Sequence, residues 1–263
     1  MLNTRVIPIL LLRHESLIKT RKFGDFVYVG DPSNTVRIFN ELEVDELFFM
    51  DISASKEGRG PNLKVLSDIA NECFMPLGYG GGISNIDDAK AVFDIGFEKV
   101  SLNTHAIKTP QLISEIAALF GSQAVVVSID VRAPGPDAPS SVWTENGQRD
   151  THQDPVAWAV EAERLGAGEI LLTAIDREGS WSGFDLELTR RVSDAVSIPV
   201  VAHGGAGTLA HIGDAVRIGG ASAVGLGSMI VFQKKGMGVL VHFPDREALQ
   251  QVLSDPGPMV REG

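Results

Sequence analysis

The chain writes one sentence twice. Residues 75–85 read Met-Pro-Leu-Gly-Tyr-Gly-Gly-Gly-Ile-Ser-Asn, and residues 198–207 read Ile-Pro-Val-Val-Ala-His-Gly-Gly-Ala-Gly. Pro76 and Pro199 stand 199 − 76 = 123 positions apart, and the pairs Gly81/Gly204 and Gly82/Gly205 keep that spacing. Each copy reads as a buried strand that ends in glycines and opens into a helix. Glycines let backbone N–H groups crowd an anion, and the helix start adds the positive end of its dipole. A fold that accepts this sentence twice is built from two similar halves.

The remaining apolar runs extend the pattern. Strands are expected at 6–12, 45–52, 75–79, 99–103, 124–131, 169–175, 198–202 and 223–227. Helices are expected at 32–42, 61–72, 86–93, 110–120, 155–165, 185–195, 209–218 and 245–253. Near-continuous apolar strands alternating with helices imply a parallel sheet covered by helices, and eight such units imply a (β/α)8 TIM barrel with an internal half-barrel duplication. Strand one lies over strand five at an offset of 125 − 6 = 119, Glu46 over Glu169 at 123, and Val100 over Val224 at 124. Two long loops break the rhythm, 13–31 and 132–154. The second carries Pro134, Pro136 and Ser141-Val142-Trp143-Thr144 before a turn at Asn146-Gly147, a hairpin signal.

At 263 residues and 44% hydrophobic content the chain suits a single barrel domain over 1–263. No apolar run reaches membrane-span length and no signal-peptide pattern follows Met1, so a cytoplasmic protein without a membrane partner is expected. The one cysteine, Cys73, makes no internal disulfide and reads as an inert thiol. A net charge of −11 argues against nucleic-acid binding but not against phosphate, because glycine cradles bind through backbone.

The strand C-terminal ends carry the chemistry in a barrel. Gly81, Gly82, Asn103 and Thr104 form one candidate phosphate site. Gly205, Ala206, Gly207, Gly227 and Ser228 form the other, with Gly179 beside it. The competing explanation is that these glycines only let helices pack close to strands. Asp130 ends strand five in an apolar run, where a carboxylate either faces the mouth as a catalytic group or caps the next turn. Asp51 and Asp176 pose the same choice. The duplicate of Asp130 is Leu11, at 130 − 119 = 11, which carries no proton where acid–base chemistry on two sides of a substrate needs two titratable groups. His14 and His203 lie near the mouth without partners at metal-ligand spacing; His105, His152, His211 and His242 read as structural. No metal site and no cofactor is expected. At the opposite end Arg5, Glu46, Lys99 and Glu169 stand at strand starts, either as a salt-bridge plug or as a ring around an opening.

These residues together resemble the cyclase subunit of imidazole glycerol phosphate synthase, HisF, over nearly the whole chain. The resemblance rests on Asp45-Glu46-Leu47 with Asp51-Ile52, Gly80-Gly81-Gly82-Ile83, Lys99-Val100-Ser101 with Asn103-Thr104, 120–126, 166–173 and Gly204-Gly205-Ala206-Gly207. It implies a glutaminase partner docked at the N-terminal face near Glu98. It also implies an ammonia gate of Arg5, Glu46, Lys99 and Glu169, and phosphate sites at the positions above. Lys19 and Thr173 match active-site positions; His203 stands where the family has Ser, and Glu178 where it has Asp. Leu11 departs from the family's second catalytic Asp, and Arg13-His14-Glu15-Ser16 departs from its following loop. The stretches 26–32, 37–41, 72–76 and 238–241 are similar instead to HisF-like proteins associated with glycosyl amidation. That branch implies ammonia delivered to a separate sugar-amidating protein in surface-polysaccharide synthesis. The alternative is a genuine lyase–cyclase of histidine biosynthesis.

Overall fold

The computed structural model describes residues 4–133 and 139–254; Met1, Pro134 and Pro136 lie outside the described residues. Twelve strands follow in chain order: β1 (Arg5–Arg13), β2 (Ser16–Thr20), β3 (Phe26–Gly30), β4 (Leu47–Asp51), β5 (Leu77–Gly80), β6 (Lys99–Leu102), β7 (Val125–Arg132), β8 (Ser141–Thr144), β9 (Arg149–Asp150), β10 (Glu169–Ala174), β11 (Val200–His203) and β12 (Ala223–Leu226). Eight of them, β1, β4, β5, β6, β7, β10, β11 and β12, pair in parallel in that order, and β12 pairs back to β1. The sheet therefore closes on itself as a (β/α)8 barrel.

The duplication extends to the helix starts. Asp31 accepts the N–H of Asn34 at 2.8 Å, and Asp154 accepts those of Val156 and Ala157 at 2.9 Å. Each is followed by a proline at the first helical position, Pro32 and Pro155. Asn62 and Asp185 cap the next pair of helices, Leu63–Glu72 and Leu186–Ser193. Asn85 and Thr208 cap Ile86–Ile95 and Leu209–Arg217. Every one of these pairs keeps the spacing of 123, so the two halves start their helices with the same chemistry.

Strand period two divides the apolar side chains into two layers. Val6, Leu10 and Leu12 face outward into the shell between strands and helices, while Ile7 and Ile9 join Phe48, Val126, Leu171, Val201 and Ala223 inside the barrel. The inner layer is crowded. A Cβ on Gly78 would sit 2.2 Å from the Phe48 ring, and one on Gly225 would sit 2.4 Å from Ile9 Cδ1.

One expectation needs correction. Residues 13–31 are not a loop: β1 continues antiparallel into β2 (Leu11 opposite Ile18), and β2 pairs with β3. The strand-forming Phe26-Val27-Tyr28 was the available signal, but all three side chains are exposed, so no in–out alternation marks them. The 141–150 segment does form the expected hairpin, with Glu145, Asn146 and Gly147 at positive φ (55°, 57° and 70°) in the turn. Short helices Thr104–Lys108 and Ser228–Val231 follow β6 and β12. No helix among the described residues is long and apolar enough to cross a membrane.

Candidate functional site

The four charged residues at the strand starts meet. Arg5 Nη1 lies 2.6 Å from Glu46 and Nη2 contacts Glu169; Lys99 Nζ lies 2.8 Å from Glu46 and 2.9 Å from Glu169. Each cation touches both carboxylates, which makes a closed ring of alternating charge across the barrel floor. The two glutamates are buried and the cations partly so. Burial weakens the Arg5 guanidinium, yet the hydrogen bonds and charges of Glu169 and Glu46 outweigh it and raise its pKa. Glu98, next to Lys99, is exposed on the same face.

At the other end a cavity of about 850 Å³, open solvent at its mouth included, reaches down the barrel axis. Asp130 stands in its wall. The carboxylate is nearly buried and accepts from Asn103 Nδ2 at 3.3 Å and Ser128 Oγ at 3.5 Å. Burial pushes its pKa up to about 7, against the pull of hydrogen bonds from Thr173 and Ser128. Among the described residues no cationic nitrogen pairs with it. Leu11 lines the same cavity. The other carboxylate in the lining, Asp51, is spent. It accepts from Ser53 N, Ser53 Oγ and Ala54 N at 3.0, 2.8 and 3.1 Å and pairs with Arg59 at 2.9 Å. Asp51 is therefore a turn cap. Asp176 stands in a short turn after β10, half exposed, 3.6 Å from Arg132.

The candidate phosphate residues are brought together at two places. Gly81, Gly82, Asn103 and Thr104 line the large cavity. Gly179, Gly205, Ala206, Gly227 and Ser228 line a second one of about 230 Å³. Gly207 stands aside, its N–H donating to His211 Nδ1 at 3.2 Å. In the first place several polar groups already have partners. Gly82 N–H donates to Ser55 Oγ, Asn103 Nδ2 also donates to Ser128 O and Trp143 O, and Thr104 Oγ1 accepts the N–H of Glu145. The packing explanation for the glycines holds as well. A Cβ on Gly82 would lie 2.4 Å from Arg59 O, and one on Gly205 would lie 2.1 Å from Gly183 O.

The second cavity holds the residues that the sequence left scattered. Lys19 from β2 contacts Glu178 in an ion pair, with side-chain exposures of 4% and 2%. Glu178 also accepts from Thr20 Oγ1 at 3.3 Å and Phe23 N at 3.2 Å. Burial pushes the Lys19 ammonium down to about 7. His203 lines both cavities and meets Thr173 Oγ1 through Nδ1 at 3.2 Å. Burial first, and the nearby Lys19 charge second, hold its imidazole near 3, so it is neutral. Glu178 was legible only as a family departure, and nothing in its local sequence marks it as the partner of a lysine 159 positions earlier.

His105 lines the large cavity with a buried Nδ1 that has no partner, and burial lowers its pKa. His14 lies 3.5 Å from Glu57 at the surface. Cys73 is half-buried, donates to Met75 O at 3.4 Å, and is held protonated by burial. The described residues contain no group of three metal-ligating side chains.

Comparison with known proteins agrees with this architecture. The model of the histidine biosynthesis protein family matches residues 5–235. A Pseudomonas aeruginosa protein provisionally named imidazole glycerol phosphate synthase subunit hisF2 is 48% identical over 245 residues, 93% of this chain and 97% of its own length. Proteins provisionally named imidazole glycerol phosphate synthase subunit HisF are similar too. The one from Leptospira borgpetersenii is 43% identical over 95% of this chain and 99% of its own length, and the one from Leptospira interrogans 42% over 94% and 97%. With the closed barrel and these relatives together, the chain belongs to the histidine biosynthesis protein family as a HisF-like member.

Proposed function

We propose that this chain is the ammonia-handling barrel of a glutamine amidotransferase system. It takes ammonia from a glutaminase docked at the Glu98 face and passes it through the Arg5–Glu46–Lys99–Glu169 ring into the upper cavity. A separate protein then consumes it, with an N-acetyl sugar of surface-polysaccharide synthesis as the acceptor. The observation that carries this reading is Leu11: it lines the cavity that holds Asp130 and leaves no second free carboxylate among the described lining residues. The cradles at Gly81–Gly82 and Gly205–Ala206 serve a phosphorylated ligand in this reading.

Two measurements test it. The chain is expected not to complement loss of the histidine-pathway cyclase, and robust turnover of the bisphosphate ribulosyl intermediate with free ammonium overturns the proposal. It is also expected to co-purify with a glutaminase and raise its activity, with ammonia coupling lost in Lys99→Ala. A glutaminase equally active without this chain counts against it.

The second reading is the lyase–cyclase. It is favoured by Asp130 itself, whose pKa near 7 suits a proton-transfer group. In that case Asp130 works without a carboxylate at position 11, and the complementation experiment succeeds.

A further inference from the structure

The β2–β3 hairpin is anchored at its base and bare beyond it. Lys19 pairs with the Glu178 carboxylate, which also accepts from Thr20 Oγ1 and Phe23 N. Lys22 N–H donates to Glu178 O at 3.0 Å, and Arg132 donates to Lys22 O. Thr20 and Phe23 line the large cavity, so the hairpin forms part of its rim. On β3, Phe26, Val27 and Tyr28 are 47%, 53% and 61% exposed, and Phe26 stands opposite Thr20 in the register. Successive residues of a strand point to opposite faces, so both faces of β3 are uncovered.

The edge of β3 is uncovered too. Among the described residues it pairs with β2 alone. A free edge presents unpaired N–H and C=O groups, and proteins that keep one in water blunt it with lysine, proline or a bulge. Phe26-Val27-Tyr28-Val29-Gly30 contains no charge and no proline, and its one irregularity, at Val29, lies past the three exposed side chains. The neighbourhood also reverses the sign of the molecule. Arg13, Arg21 and Lys22 are exposed on the hairpin against Glu15 and Asp25. Lys234 and Lys235 are exposed, with Met237, Val239 and Leu240, in the segment that leaves β12, the strand paired with β1. The chain as a whole carries −11.

We propose that β3 is the docking strand for the ammonia-consuming protein. A strand of that protein pairs with the β3 edge, its apolar side chains cover Phe26, Val27 and Tyr28, and its acidic rim meets Arg21, Lys22, Lys234 and Lys235. The assignment rests on the ammonia-handling reading for what this partner does, and adds where it sits. Charge decides against a second copy of the chain, because a two-fold contact through β3 sets the same cations against each other. The free main-chain groups decide against a lipid surface, which has no peptide ladder to offer them. A partner seated here stands over the rim of the large cavity, where ammonia leaving the barrel passes to it without crossing open water.

The test uses the full chain with its glutaminase and a purified sugar-amidating protein as the probe, binding being followed by interferometry. Tyr28→Glu is expected to weaken binding about thirtyfold or more, and Arg21→Glu about tenfold, with the second loss shrinking in high salt. Neither variant should change glutaminase activation, because the hairpin leaves the C-terminal end of β1 and Glu98 lies at the other end of the barrel. Amide hydrogens of residues 26–30 are expected to gain exchange protection in the complex. Unchanged affinity in Tyr28→Glu, or no added protection at 26–30, overturns the docking strand. So does self-association of the isolated chain that Tyr28→Glu abolishes, or binding to phosphatidylglycerol vesicles without binding to the amidating protein. If that protein takes glutamine-derived nitrogen while docked elsewhere, this surface alone falls. If it docks at β3 and glutamine-derived nitrogen never reaches the sugar, the surface stands and the ammonia-handling reading falls.

Discussion

The two half-barrels build the same device after their first strand and arm it differently. In each, the strand runs past the barrel and turns back as an antiparallel neighbour, with Leu11 opposite Ile18 in one half and Asp130 opposite Trp143 in the other. Two residues further on, an arginine lies over an aromatic ring of that hairpin: Arg13 over Phe26 at 4.3 Å, and Arg132 over Trp143 at 5.2 Å. The scaffold is thus duplicated down to its cation–π contact. What differs is the side chain presented to the cavity, a titratable carboxyl in one half and a methyl-bearing one in the other. Backbone architecture and proton chemistry have separated within one chain.

The glycine cradles differ in the same way. The first opens into the large cavity, whereas the second contains the Lys19–Glu178 pair. Lys19 belongs to the first half and Glu178 to the second, so this pair also fastens the β2–β3 hairpin to the far half. The second-half hairpin is tied down as well, since Arg132 donates to Gly147 O and to Lys22 O, both at 3.2 Å.

Breaking the floor ring, the feature the two halves share, is expected to have the largest effect. Arg5→Ala leaves Glu46 and Glu169 with one cation between them and should cost about 3–5 kcal/mol, read from the midpoint of urea unfolding. Titration of the Asp130 side comes next. Its folded-state pKa lies above its unfolded value, so its contribution is full below about pH 4 and is lost as pH rises through about 7. Water reaching the open cavity screens this loss to about 2–3 kcal/mol. Asp130→Asn should flatten that part of the stability–pH curve and be the more stable protein at pH 8. The reciprocal change, Leu11→Asp, sharpens the comparison by arming both halves. A second carboxylate in the cavity should cost about 2–3 kcal/mol at pH 8 and much less at pH 5, where it is protonated. The same variant should gain measurable lyase turnover if the missing carboxyl is what separates this chain from a cyclase. The smallest effects concern the two arginines. Arg132→Ala loses two hydrogen bonds, a ring contact and the half-exposed Asp176 contact, about 2 kcal/mol, whereas Arg13→Ala loses about 0.5–1 kcal/mol. Equal losses would mean that the hairpins are held alike.

The repeat was readable because it is local. Strand–glycine–helix sentences need only near neighbours in the chain; the caps at Asp31 and Asp154 are local too, and the structure adds them to the repeat at the spacing of 123. The first hairpin was harder to read, because Phe26, Val27 and Tyr28 face solvent together and period two gave no sign of a strand. Glycine roles stayed ambiguous for a related reason. At Gly82 and Gly205 close backbone packing and an anion cradle call for the same residue.

The amino-acid sequence alone determined that there would be eight strand–helix units, a duplication, charged residues at the strand starts and a leucine in the register of Asp130. Tertiary structure decided which cation touches which carboxylate within the floor ring, whose four members the strand starts had already named, and it alone joined Lys19 to Glu178. Arg5 and Glu169 are 164 positions apart, and Lys19 and Glu178 belong to opposite halves. Closure of the sheet sets those encounters, because it fixes which strand ends face each other across the axis. The interior then makes an unpaired charge expensive enough that each must find a partner or, like Asp130, hold its proton.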